Sequence, residues 1–445
     1  MACIEFTSSE TAAADSGCIV EIETEDSGCI AEIETEDSGC IAEIETEDSG
    51  SISEIETQDG AANDIENPEC VLVNHIAKEL KSLKSPKSLK HCIYRVPIKL
   101  RKLHKEDYKP RVVSIGPFHH GRGRLQSMEK HKLYCFKKLI QRGKKRLEDY
   151  VGLMQKLEEE TRQCYADTIW FNSDKFVQMI LVDAGFIIDL LFRFYFRVQG
   201  EKIDSEEPLL HKTPIIDIRH DLTLLENQLP FFVLEAFFNL TFAPFPKIFP
   251  SLLKIALRFF KGYYRKEMEP NYVVHFTDLI RTLHLPMPNP RAEGEQFISS
   301  PSATELHESG VKFKVSEEKC LLDIRFNPRN GVLEIPRFNL QGSTIPYIRN
   351  LVALELCHYP GGRYIIDYFV FMDHLINTPK DVDLLVQNGI LFNGLGDSAA
   401  AAAFYNNLCR HIEFSAPEFY FCRLCKDLRA YHKVPWHKWM VSKLV

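Results

Sequence analysis

The sequence predicts a mainly α protein: a multi-helix globular domain with a small antiparallel β-sheet, preceded by a disordered acidic repeat tail. Three observations predict this. Apolar residues recur at helical spacing through most of the chain beyond residue 70. Asn330-Gly331, set between two β-branched runs, marks a hairpin turn. Residues 1 to 69 hold 21 Asp and Glu and no Lys or Arg, a composition with too little apolar surface to form a core. The remainder is long enough to bury one, since the chain has 445 residues and is 45% hydrophobic.

Within the tail an 11-residue unit repeats as DSGCIVEIETE, DSGCIAEIETE, DSGCIAEIETE and DSGSISEIETQ between Asp15 and Asp59. That period suits a right-handed helical supercoil, but each unit carries a Ser-Gly pair and β-branched Ile and Thr. The dense carboxylates oppose strand pairing as well, so disorder is expected over residues 1–69. The opening MACIEFTSSETAAADS has neither the basic nor the apolar region of a signal peptide. Thirteen cysteines form an odd set, and a reduced, cytosolic-side location is expected over a disulfide framework.

The net charge of −8 conceals a split. Residues 70–445 carry 54 basic against 41 acidic residues, and residues 70–146 alone carry 22 against four. An acidic tail is thus joined to a basic head. No segment offers the roughly 18 uncharged apolar residues of a membrane span. Phe176 to Val198 contains Asp183, Asp189 and Arg193, and the run from Leu229 contains Glu235, Lys247 and the prolines Pro244, Pro246 and Pro250.

Taken in order, Val71 to Leu83 reads as a helix stopped by Ser-Pro-Lys-Ser. Val112 to Ile115 reads as a short strand. Met128 to Asp167 carries two helices with Gly143 in the basic turn between them. Asp174 is expected to cap a helix over Lys175 to Val198, apolar on most sides and therefore central; Asp183 and Asp189 within it need partners. In Asp221 to Glu235, the polar Glu226, Asn227 and Gln228 lead into a helix with Pro230 in its first turn. Residues 286–303 are rich in Pro, Gly and Ser and read as a linker or loop. Ser302-x-x-Glu305 is a capping box opening a short helix. Strands are expected at Val311–Val315, Leu321–Phe326 and Val332–Ile335, then helices at Ile345–Cys357, Tyr364–Leu375, Lys380–Gln387, Ala399–Phe414 and Glu418–Tyr431. The organisation is therefore a tail at 1–69, a basic head and first helical part at 70–285, the break at 286–303, a hairpin and C-terminal helices of the same domain at 304–440, and a short tail at 441–445.

The stretch Ile93 to Lys132 resembles the opening signature of the plant-specific family known as domain of unknown function 247. The matching residues are Ile93 to Pro97, Tyr108 with Pro110, Val113 to Gly121, and Met128 with Glu129, His131 and Lys132. FVQMILVDAGFIIDLL and DLTLLENQLPFFVLE resemble further signatures, as do ATELHESGVKF, GVLEIPRF and HLINTPKDVDLL, so the resemblance runs from about residue 70 to 440. The acidic repeats lie outside the family pattern. Many members carry an apolar membrane-spanning segment after a W-H-x-W block; here Trp436-His437-x-Trp439 is followed only by residues to Val445. Some members are associated with pollen recognition in grass self-incompatibility, which implies recognition or signalling as a class.

Four patterns could carry chemistry. Gly116 to Gly121 has the spacing of a phosphate loop, but Arg122-Gly123 stands where Lys and Ser or Thr are needed, which favours a structural turn. His119 and His120, adjacent on a loop, would point apart; an enzyme reading makes one of them a general base with an acid such as Glu226. Cys422-x-x-Cys425 with His432 and His437 has zinc-like pairs, but six residues between the pairs are too few for a finger and a helix runs through them. Asn239-Leu-Thr241 is a glycosylation acceptor only in a luminal setting.

Two stretches could make a binding surface. The lysines Lys78, Lys81, Lys84, Lys87 and Lys90 could form an anionic-surface footprint, but without interleaved aromatics a solvated face or a dock for the tail is favoured and nucleic acid is not. Ser251 to Lys266 could be an interfacial helix or a core helix with a basic outer face.

The expectation is a non-enzymatic protein without metal or cofactor, with no catalytic site assigned. It would act through a protein partner, in the cytoplasm or peripherally at a membrane. An enzyme built around His119 or His120 and an anionic-surface binder are the alternatives.

Overall fold

The structure, a computed structural model, describes residues 68–82, 90–200, 214–242, 249–263, 269–285, 298–317, 320–410, 412 and 419–434. The expected tail through residue 67, the break at 286–297, Lys84, Lys87, His437 and the final segment at 441–445 lie outside the described residues. The chain divides into two units, the second beginning at Leu80. Helix α1, Pro68–Ser82, holds the described part of the first.

In the second unit α2 (Ile98–Leu103) and a turn of 3-10 helix at Lys105–Tyr108 precede the helix pair α3 (Glu129–Gly143) and α4 (Leu147–Gln163). Between that pair Lys144, not the glycine, takes the left-handed backbone conformation. Helix α5, Ser173–Val198, is the centre expected of it. It is capped by Asn172, whose side-chain oxygen accepts the Lys175 N–H at 2.9 Å; Asp174 sits in the first turn instead. Helix α5 packs most closely on α3, and also on α4, α7 (Phe231–Phe242) and α8 (Leu252–Phe259). At the α3 contact Gly185 is required, because a Cβ there would stand 2.5 Å from the Phe136 ring.

A short α6 (Ile215–Asp221) precedes α7, and Pro230 falls just ahead of α7 rather than in its first turn. Helix α9 (Phe276–His284) leads to α10 (Ala303–Glu308), which has the expected Ser302–Glu305 capping box. Strands β1 (Lys312–Ser316), β2 (Arg325–Asn327) and β3 (Val332–Pro336) form a mixed sheet in the order β1-β3-β2. The β2–β3 hairpin is antiparallel as expected, but β1 joins β3 in parallel, Phe313 beside Leu333 and Val315 beside Ile335. Of Leu321–Phe326 only its end is strand; Leu321, Leu322 and Ile324 are buried in a turn.

Helices α11 (Thr344–His358), α12 (Tyr364–Leu375), α13 (Pro379–Gln387), α14 (Ser398–Leu408) and α15 (Cys422–His432) follow. Two unexpected three-residue strands, β4 (Phe338–Leu340) and β5 (Leu391–Asn393), pair in parallel. The described residues make fifteen α-helices, a main apolar core reaching from Cys92 to Leu428 and a smaller apolar cluster around Tyr108. None of these helices is long and apolar enough to cross a membrane.

Candidate functional site

The polar residues singled out from sequence meet in a buried hub between the head, α5 and the loop joining α6 to α7. Val112 to Ile115, expected as a strand, begins in a bend and belongs to no sheet. Its backbone groups still need partners once buried, and side chains supply them. Asp221 accepts the N–H groups of Arg111, Val112 and Val113 at 2.8, 2.7 and 2.9 Å. Asn227 accepts from Ile115 N–H at 2.7 Å and donates to the Val113 carbonyl at 3.0 Å. Asp183 accepts the Gly116 N–H at 2.8 Å, and Lys132 donates to the Ser114 carbonyl at 2.9 Å. The chain forms half a ladder whose other edge is made of side chains.

Gly116 is the pivot. Its φ is +69°, and a Cβ there would lie 2.8 Å from the Gln228 carbonyl oxygen, so only glycine fits without strain. The Gly116 N–H, which a phosphate loop would aim at its ligand, faces the Asp183 carboxylate.

Charge is neutralised inside the hub. Lys132 Nζ, fully buried, lies 2.5 Å from Asp183 Oδ1 and 2.7 Å from Glu129 Oε1. Burial pulls the Lys132 ammonium down, but the two carboxylates outweigh it and hold it above the ordinary lysine range. Burial pushes Asp183 up to about 6 against the pull of Lys132 and Gly116. Asp189, the other acid of α5, pairs with Arg142 and with Arg193, one helical turn on.

Glu226 is the second node. It accepts the Val96 N–H at 2.7 Å and pairs with Arg101. His119 Nε2 stands 3.3 Å from Glu226 Oε2, off the axis of a good hydrogen bond, and both ring nitrogens are buried without a hydrogen-bond partner. Burial raises the Glu226 carboxyl, yet His119, Val96 N–H and Arg101 together hold it below the usual carboxylate range. Burial holds His119 below the ordinary histidine range despite Glu226. His120 turns the other way, edge-on to Phe171 with ring centroids 5.7 Å apart. Gln228 ties the loop to itself and to α9, donating to the Leu222 and Leu224 carbonyls and accepting from Phe276 N–H.

The other candidates separate from this hub. Cys422 and Cys425 are buried on the core side of α15, and His432 Nδ1 lies 2.6 Å from Ser309 Oγ. Thr241 of the acceptor pattern is buried and bonded to Tyr150 and the Phe237 carbonyl. On α8, Leu252, Ile255, Ala256 and Phe259 are buried against the core, which takes the face an interfacial helix would need. Basic residues of the head are paired with later acids: Lys90 with Glu160, Arg95 with Asp167, Arg142 with Asp189.

A family model described as a plant protein of unknown function, domain of unknown function 247, matches residues 93–445. The chain belongs to this family. A UPF0481 protein of Arabidopsis thaliana is 28% identical over 77% of this chain and 77% of its own length. A putative UPF0481 protein of the same plant is 23% identical over 79% of this chain and 84% of its own length. No solved structure gives a significant match.

In this member of the domain of unknown function 247 family, the signature residues therefore hold one another. Tyr108 packs with Val96, Leu100 and Leu225 against Ala353 and Leu354 of α11. Asn350 of the same helix accepts from Leu225 N–H and donates to the Asp107 carbonyl, so a late helix clasps both the head and the loop. Sequence reasoning missed Asp221 and Asn350 as anchors. The available signal was a set of polar residues inside an otherwise apolar block.

A cavity of about 480 Å³ lies beside the hub, with Lys90, Cys92, Glu160, Cys164, Tyr272 and His358 among its lining residues. His119, His120 and Glu226 do not line it. Behind Cys92, buried His275 caps α9: its Nδ1 accepts the Asp278 N–H at 3.2 Å and its Nε2–H donates to the Cys92 carbonyl at 2.9 Å. Burial drives His275 down to about 4. The unfolded chain takes up this proton near pH 6.5 and the fold only near 4, so this stabilisation is complete above 6.5 and is lost as pH falls toward 4, at about 1.4 kcal/mol per unit. Asp183, raised to about 6, runs in the opposite sense. The His275 contribution is therefore read as a difference: His275→Gln should show a shallower loss of stability between pH 6.5 and 4 than the parent in urea titrations, and equal slopes would refute the neutral-cap assignment.

Proposed function

We propose that this protein is a non-enzymatic recognition or signalling protein that acts through protein partners. The observation that carries the reading is the engagement of the signature residues. Asp221, Asn227, Glu226, Asp183 and Lys132 direct their polar atoms to the chain's own backbone or to each other. Residues used in this way build a rigid scaffold, and scaffolds of this kind present loops and helix faces to partners. A catalytic reading has one observation in its favour, the buried His119–Glu226 pair, which has the composition of a base and its orienting acid.

The test is fractionation of tagged full-length protein from plant cells, with salt and carbonate washes of the membrane pellet and mass spectrometry of co-purifying proteins. A consistent partner, kept by a His119→Gln variant of unchanged thermal stability, is the expected result. Loss of a cellular phenotype in that variant with partner binding intact would favour the enzyme.

A further inference from the structure

We propose that Cys164 and Cys92 form a peroxide-reactive dithiol in the wall of the cavity, oxidised by a hydroperoxide to a reversible disulfide. The inference is independent of the recognition reading.

Backbone register brings the two cysteines together. Ile93 and Tyr165 form an isolated parallel bridge, with Ile93 N–H donating to the Cys164 carbonyl at 2.9 Å and Ala166 N–H to the Ile93 carbonyl at 3.0 Å. Cys92 and Cys164 are therefore neighbours across a parallel pair, whose strands lie roughly 4.8 Å apart, inside the Cα range that a disulfide spans. The Cys92 N–H itself donates to the Cys164 carbonyl at 2.9 Å, so the two residues are in direct backbone contact. Cys92 is pinned on both sides, by the Cys164 carbonyl on its N–H and by His275 on its C=O. Both cysteines line the cavity, which gives a small oxidant access to side chains otherwise almost covered.

The pair is asymmetric. In the reduced state Cys164 Sγ rests 3.4 Å from the Glu160 carbonyl oxygen. Proximity to Cys92 holds the Cys164 thiol below the ordinary cysteine range against burial and the Glu160 carboxylate, with the Lys90 ammonium adding to the lowering, whereas Cys164 and burial both raise Cys92. Cys164, which shares the cavity wall with the Lys90 ammonium and is reached from the same opening, is assigned as the attacking sulfur. Its thiolate takes the terminal oxygen of the hydroperoxide: the S–O bond forms, the O–O bond breaks, and the alkoxide leaves and is protonated to the alcohol. The resulting sulfenic acid is attacked by Cys92, which gives up its proton. The S–S bond forms, the S–O bond breaks and water departs. Two thiols lose two electrons and two protons, and the hydroperoxide is reduced to alcohol and water.

The experiment treats full-length native protein with hydrogen peroxide, blocks remaining thiols with N-ethylmaleimide, and maps tryptic peptides without reduction. The peptides HCIYR and QCYADTIWFNSDK should appear joined, both sites should lose labelling, and dithiothreitol should restore it. Cys357 and Cys409, partly exposed and not among the residues lining the cavity, are the internal comparison. In Cys92→Ser, dimedone should trap Cys164; in Cys164→Ser, Cys92 should stay unmodified. The proposal is overturned if Cys92 and Cys164 remain labelled while Cys357 or Cys409 oxidises, or if the joined peptides arise only after denaturation. The assignment of Cys164 as attacker is overturned if dimedone marks Cys92 in Cys164→Ser instead.

Discussion

Replacing Lys132 with methionine should lower the free energy of unfolding by about 3–5 kcal/mol, the cost of leaving a buried charge without its partner. Lys132 is fully buried, and its ammonium lies between Asp183, Glu129 and the Ser114 carbonyl. Methionine keeps the length of the side chain, so little cavity is made and the loss is electrostatic. Because small domains have only about 5–15 kcal/mol in total, the urea midpoint should fall sharply. Combining Lys132→Met with Asp183→Asn removes the stranded carboxylate and should recover part of the loss, since the amide oxygen can still accept from Gly116. A single-variant cost under about 1 kcal/mol would mean that the ion pair is not what holds α3 to α5 there.

Asp221→Ala should cost at least about 3 kcal/mol, because three successive N–H groups lose their acceptor together and each such loss is worth about 1–3 kcal/mol. Water can reach Arg111 and Val112 in part but not Val113, which sets the lower end of that range. Asp221→Asn should fall between, keeping one oxygen and turning an NH₂ group toward donors. Amide hydrogen exchange at Val113 reads the same contact directly: protection should vanish in Asp221→Ala and survive in the parent. Unchanged protection would show that Asn227, Asp183 and Lys132 hold the segment without Asp221.

The helices were legible because their apolar spacing is local. Tyr364–Leu375 was read to the residue, and Ser302 with Glu305 announced its capping box. The run at Val112–Ile115 was not, since β-branched residues declare an extended backbone but not its partners, and the partners are side chains from 18 (Lys132) to 114 (Asn227) positions away. The parallel β1–β3 and β4–β5 pairings are likewise non-local, and the last two strands are too short for any alternation to show. Within the site, the need of Asp183 and Asp189 for partners was readable from charge inside an apolar helix. One partner, Arg193, follows from i,i+4 spacing; Lys132 and Arg142 required the fold. Glu226, Asn227 and Gln228 stood out as polar residues in an apolar block, but read locally they looked like a helix entrance, whereas their work is done on residues 96 to 119 and on α9.

The half ladder of side chains also sets an order on biosynthesis. Translation delivers the cationic head first, with the N–H groups of residues 111 to 116 extended and unmet. Asp183 follows, Asp221 and Asn227 later still, and Asn350 last of these. Until the chain through Asn227 has cleared the ribosome the head lacks most of the acceptors it closes upon, so its folding waits for about half of the polypeptide. A nascent chain stalled before Asp221 should expose the head to protease, and one stalled beyond Asn350 should protect it.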